Sequence, residues 1–100
     1  MNFVAVTACP TGIAHTYMAA EKLEMTARKL GHTIKVETQG AMGIENALSQ
    51  ADIDAAEMAI FATDIAIEKV ERFDRIRRIQ VPVQAALKDP AAIFQRAQIA

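Results

Sequence analysis

Among its 100 residues the chain has one cysteine, no tryptophan, three prolines and four glycines. A lone cysteine cannot form an internal disulfide and suits a reducing compartment. No sign of charge dominates either: 11 basic and 12 acidic residues leave a formal net charge of -1. That removes the overall pull toward nucleic acid, whose partners are basic. No apolar run approaches the roughly 18 to 20 residues of a membrane-spanning helix. The chain passes from Met1-Asn2 directly into Phe3-Val4-Ala5-Val6, without the basic start of a secretory leader. The expectation is a cytoplasmic protein with no direct membrane insertion, whose thiol is either buried and inert or exposed and reactive.

Apolar residues make up 52% of the sequence and charged residues 23%, a globular balance. The length fits a single domain over residues 1–100, with no repeat, linker or low-complexity segment. Phe3-Val4-Ala5-Val6-Thr7 reads as a strand buried on both faces, ending at a turn with proline and glycine. Ala19, Leu23, Ala27 and Leu30 recur at helical spacing, and Gly31 is placed to cap that helix in the left-handed conformation. Thr33-Ile34-Lys35-Val36-Glu37-Thr38 alternates as a half-exposed edge strand does. Gly40 and Gly43 mark a loop, followed by a short amphipathic segment over 44–48. Ser49-Gln50-Ala51-Asp52 is a capping box that starts a helix near Gln50. Met58-Ala59-Ile60-Phe61-Ala62 is a third strand, a helix is expected over 68–73, and a fourth strand falls within 77–81. Pro82 opens a short helix to Leu87, and Asp89-Pro90 starts the terminal one. The alternation predicts a three-layer α/β fold: an open four-stranded parallel sheet of order 2-1-3-4, with helices on both faces.

Ligands of such sheets bind beyond the carboxyl ends of the strands. Cys9 lies two residues past the expected end of the first strand and just before the first helix. Gly12 permits backbone angles that a β-carbon resists. Successive N–H groups of Cys9-Pro10-Thr11-Gly12-Ile13-Ala14-His15-Thr16 can then form an anion cradle with the helix N-terminus. A cysteine in that field is nucleophilic. Pro10 has no N–H, so donation starts at Thr11, and Thr16 can offer its hydroxyl to the sulfur or to a bound anion.

A lone cysteine after a strand is ordinarily a small buried hydrophobe, and only its loop argues otherwise. His15 fits an ordinary first-turn residue that adds partial positive charge. His32, beside Gly31, fits a solvated position. Asp64, at the end of the third strand on the same edge as Cys9, fits a helix N-cap better than an acid catalyst. Lys69, Arg72, Arg75, Arg77 and Arg78 alternate with Glu68, Glu71 and Asp74, as on a solvated face. The Met and Phe residues fit the core. No carboxylate-rich loop stands beside Cys9, so neither a metal nor a cofactor is expected.

Three chemistries suit a cysteine in such a cradle. A thioredoxin-type redox pair needs a second cysteine at position 12, which is Gly12. The spacing resembles the Cys-x5-Arg-Ser/Thr loop of low-molecular-weight tyrosine phosphatases, but His15 stands in the arginine's place. Histidine cannot reproduce the bidentate fork that arginine offers a phosphoryl group. The third is a phosphoryl carrier.

The segment from Val4 to Glu21, containing Thr7-Ala8-Cys9-Pro10-Thr11-Gly12-Ile13-Ala14-His15-Thr16, resembles the enzyme IIB domain of the fructose-type bacterial sugar phosphotransferase system. Val36-Glu37-Thr38-Gln39-Gly40, Gly43-Ile44-Glu45-Asn46, Asp64 and Glu71-Arg72-Phe73 extend the resemblance over essentially the whole chain. It implies that Cys9 accepts a phosphoryl group from a phosphohistidine of enzyme IIA. The cysteine then passes it to a sugar, fructose or fructose-like, taken up through the membrane enzyme IIC, with which such a domain can associate at the inner membrane. It further implies that the loop with Gln39 and Gly40 borders the site or a docking face. The basic stretch Asp74-Arg75-Ile76-Arg77-Arg78 departs from the family's pattern. A cysteine phosphatase and a regulatory phospho-sensing module are the alternatives.

Overall fold

The computed structural model describes residues 1–9 and 13–99, Ile13 by its backbone alone. In chain order the elements are β1 (Asn2–Ala8), α1 (Ile13–Lys29), β2 (Thr33–Gly40), β3 (Gly43–Glu45) and α2 (Gln50–Ala55). β4 (Met58–Thr63), a 3-10 turn (Val70–Phe73), β5 (Arg78–Val81), α3 (Val83–Lys88) and α4 (Pro90–Ile99) follow. The apolar run of β1 is buried on both faces because β2 and β4 pair with it in parallel and helices cover the sheet above and below.

Side-chain alternation splits the core in two. Phe3 and Ala5 pack with Leu23 of α1, Ala86 of α3 and Phe94 of α4, while Val4 and Val6 pack with Ile53, Phe61 and Phe73. α1 ends as its sequence dictates. Gly31 takes φ 80°, its N–H reaches Arg28 O at 3.2 Å and that of His32 reaches Ala27 O at 2.8 Å. This is the paired bonding of a Schellman cap. Ser49 and Asp52 form the expected reciprocal capping box at α2, and the Asp89 carboxylate accepts from Ala92 N at the start of α4.

The expected four-stranded sheet is corrected to five strands in the order β3-β2-β1-β4-β5. Four of these are parallel; the extra one, β3, runs antiparallel to β2, pairing Gly40 with Gly43 and Thr38 with Glu45. Gly43 at φ 87° lets the chain turn back on itself within two residues. The apolar Ile44 therefore belongs to a strand, and the expected amphipathic segment over 44–48 is absent. β2 is correspondingly no edge strand: its residues Val36 to Gln39 are all buried. The helix expected over 68–73 contracts to the single 3-10 turn Val70–Phe73. Leu30, beyond the last helical residue, and Met1, Met18, Met25 and Met42 are exposed instead of joining the core.

His32 also departs from a solvated residue. Its Nδ1 accepts from the Met1 amine at 2.9 Å and its Nε2 lies 2.7 Å from Gln98 Nε2. The ring stacks on Phe94 and meets Phe3 edge-on. Burial, then the neighbouring amine, hold this imidazole below its usual range.

Candidate functional site

The chain leaves β1 in one direction toward β2 and reaches β4 on β1's other side, so the topology switches between the carboxyl ends of β1 and β4. Such a switch opens a crevice at the sheet edge. Cys9 follows β1 directly there, and Asp64 follows β4, its N–H donating to Ala8 O at 3.0 Å. Cys9 is 8% exposed, its side chain packed with the α1-side core. α1 begins at Ile13 with no acidic residue in its first turn, so no carboxylate of that turn offsets the positive end of the helix dipole. Pro10, Thr11, Gly12 and the Ile13 side chain, all expected in the cradle, lie outside the described residues.

Of the remaining expected loop residues, Ala14 and His15 are exposed and Thr16 is buried at 2% exposure. The Thr16 carbonyl accepts the Thr7 hydroxyl at 3.0 Å, which fixes the first turn of α1 against β1. A β-carbon added at Gly40 would lie 4.0 Å from Thr16 Oγ1, so β2 ends closely beside the same turn. Tyr17 reaches over this point to hydrogen-bond the Glu45 carboxylate, joining α1 to β3. That bond, then desolvation, raises the phenol above its usual range. Met42, at the turn between β2 and β3, is 69% exposed.

Gln39 pairs in register with Ala8, the residue before Cys9, but its side chain points to the opposite face from Thr16. Its carboxamide oxygen accepts from Glu68 N at 2.8 Å and its nitrogen donates to Glu68 O at 3.1 Å. The same nitrogen donates to Glu37 Oε2 at 2.7 Å. Glu37, fully buried, also accepts from Leu48 N and takes two bonds from the Arg72 guanidinium, each 2.9 Å. Arg72 is thus not on the solvated face expected of it. Burial acts to raise the Glu37 carboxyl, but the bonds from Arg72, Gln39 and Leu48 outweigh it and hold it below its usual range. The pairing spans 35 residues, and nothing in the interleaved charges around Arg72 singles it out. The burial of Glu37 shows only in the fold, since the alternation of its segment reads as a half-exposed strand. Asp64 does not cap the segment directly after it. Its carboxylate accepts from Val83 N at 3.1 Å, at the start of α3.

A groove of about 480 Å³ is lined by Phe61, Ile65, Val70 and Arg78 among others. It lies on the sheet face opposite Cys9, since Phe61 belongs to the other half of the core. Among the described residues no three metal-ligating side chains gather, and no helix is long and apolar enough to cross a membrane.

Comparison with known proteins bears on the family and the fold. Residues 4–96 match the family model described as the lactose/cellobiose-specific IIB subunit of the phosphotransferase system. The chain is 50% identical over 96 residues to the 2-O-alpha-mannosyl-D-glycerate-specific EIIABC component of Escherichia coli K12, covering 96% of this chain but only 15% of that protein. To the fructose-like EIIB component 2 of the same organism it is 46% identical over 95 residues, 95% of this chain and 90% of that one. A crystallised domain of the fructose-specific IIABC component of Borrelia burgdorferi superposes with a TM-score of 0.93 at 44% identity, covering 99% of this chain and 94% of that domain.

Proposed function

The chain belongs to the IIB family of the bacterial sugar phosphotransferase system, and from that premise we propose that it is a phosphoryl carrier working through phosphocysteine at Cys9. One observation carries the assignment to Cys9: the only cysteine stands at the carboxyl end of a central strand, at the topological switch, four residues before the start of α1. Phosphoryl transfer proceeds through a loose transition state, so the protein's part is in-line positioning and stabilisation of charge on the equatorial oxygens.

In the first step the Cys9 thiolate attacks the phosphorus of a phosphohistidine on enzyme IIA. The S–P bond forms as the N–P bond breaks, and the imidazole leaves with the electron pair and takes up a proton. In the second step a sugar hydroxyl, presented by enzyme IIC, attacks the same phosphorus and Cys9 leaves as thiolate, while the hydroxyl proton goes to solvent or a nearby base. Backbone N–H groups of residues 11–15 are assigned to the phosphoryl oxygens, and the Thr16 hydroxyl to the sulfur or to a phosphoryl oxygen. β2 ends at Gly40 beside this turn, and Gln39 and Asp64 hold the neighbouring loop and helix in place. Fructose or a fructose-like sugar is the proposed acceptor, on the strength of the fructose-like relative at 46% identity.

His15 supports the carrier over the phosphatase. It is exposed in the first turn of α1, and histidine lacks the planar five-donor fork with which arginine grips a phosphoryl group for hydrolysis.

Intact mass measurement after mixing the chain with phosphohistidine-bearing enzyme IIA should show one added phosphoryl group, mapped to Cys9 by fragmentation. Cys9→Ser should show none while keeping its circular dichroism spectrum. An adduct that persists in Cys9→Ser sinks the assignment. Rapid multiple turnover of an aryl phosphate, without any protein partner, would favour the phosphatase instead.

A further inference from the structure

One buried hydroxyl stands outside every network described above. Thr38 is 4% exposed, and its Oγ1 has no hydrogen-bond partner among the described residues. A buried donor in that condition carries a desolvation penalty that valine, of the same shape, avoids. Its position bears on Cys9. Thr38 pairs in register with Thr7, and Gln39 with Ala8, the residue before Cys9. Side chains alternate along β2, so Thr38 shares the α1 face with Val36, on which Cys9 also packs. Cys9, one residue beyond β1, is two residues on from Thr7, the register partner of Thr38, and the S–P and P–O bonds of a phosphorylated Cys9 extend its reach from there. Thr38 lines a narrow cleft with Thr16, Tyr17, Gly40 and Met42. The free volume there is about 10 Å³, at the lower limit for a water-sized group, and Cys9 does not itself line the cleft.

Building on the phosphocysteine reading, we propose that Thr38 donates its hydroxyl hydrogen to a phosphoryl oxygen on Cys9, so that the hydroxyl is paired in the phosphorylated state. The threonine then destabilises the resting chain slightly and stabilises the loaded one. This is binding directed at one state of the cycle and not at both. It shifts the exchange with the donor phosphohistidine toward uptake without a new contact to either partner.

The test is Thr38→Val beside Thr38→Ser and the wild type. Each is loaded from phosphohistidine-bearing enzyme IIA and followed by intact mass, ³¹P NMR and thermal unfolding. Thr38→Val should unfold, unphosphorylated, at the wild-type temperature or above it. It should also shift the phosphoryl exchange equilibrium about tenfold toward the donor, the order of one hydrogen bond to a charged oxygen. Its ³¹P resonance should move from the wild-type position, and Thr38→Ser, which keeps the hydroxyl, should restore both. A Thr38→Val adduct equal to wild type in amount and resonance overturns the proposal while leaving the relay intact. So does a Thr38→Val chain that loses resting stability with no change in the adduct, since the hydroxyl would then serve structure or hydration. A wild type that takes up no phosphoryl group overturns the relay and this role together.

Discussion

Glu37 and Arg72 show how much of this fold hangs on single residues. A fully buried carboxylate is tolerable only because a guanidinium, a carboxamide and a backbone N–H all point at it. Removing Arg72 leaves that charge uncompensated, so Arg72→Met should cost about 3–5 kcal/mol by urea titration at pH 7. The pH dependence has a definite sign. The folded Glu37 carboxyl lies below its unfolded value, so its contribution is complete above about pH 4.3 and is lost as pH falls through the folded value. In Arg72→Met the bare carboxyl can instead shed its charge on acidification. The stability gap between the two chains should therefore narrow from pH 7 to pH 4, and a constant gap would contradict the pairing. Cys9 and Asp64 were legible in the sequence because both follow apolar runs that announce strand ends. The Glu37–Arg72 pair was not, because only the sheet and the turn after β4 bring positions 37 and 72 together.

At the scale of elements, legibility followed the strength of the local signal. The α2 capping box and the glycine stop of α1 are written in three or four adjacent residues, and the structure reproduces both. β3 is three residues long and borrows its stability from β2, so no periodicity of its own could reveal it. Gly43 is where that hairpin is decided. Its φ of 87° is one that a β-carbon resists, and no atom lies within 4 Å of the site where one would stand, so backbone strain alone is at issue. Gly43→Ala should cost about 1 kcal/mol. The cost should be local: amide hydrogen exchange should quicken in β3 and at Gln39 and Gly40, while β1 and β4 stay protected. The Tyr17–Glu45 bond should weaken with it, loosening the rim of the Cys9 crevice from its β3 side. Uniformly faster exchange throughout the sheet would show that the hairpin is no separate unit.

For the whole molecule, the question is whether two half-cores make two cooperative units. The sheet that divides Phe94 from Phe73 also joins them, because β1 and β4 contribute alternate residues to each side. Phe3 and Ala5 face one half, Val4 and Val6 the other, so neither half can melt without stripping a strand from its partner. Cys9 depends on this arrangement: it follows directly on β1, which β2 and β4 hold between them. Phe94 and Phe73 are both fully buried. Phe94→Ala and Phe73→Ala should each cost about 3–5 kcal/mol, a large share of the roughly 5–15 kcal/mol typical of a domain this size. Both variants should still unfold in one transition, with calorimetric and van't Hoff enthalpies in agreement. Phosphoryl uptake at Cys9 should track the folded fraction equally in the two. If Phe73→Ala instead produced a separate low-temperature transition while uptake persisted above it, the α2 side would be a dispensable layer and the crevice would rest on the α1 side alone.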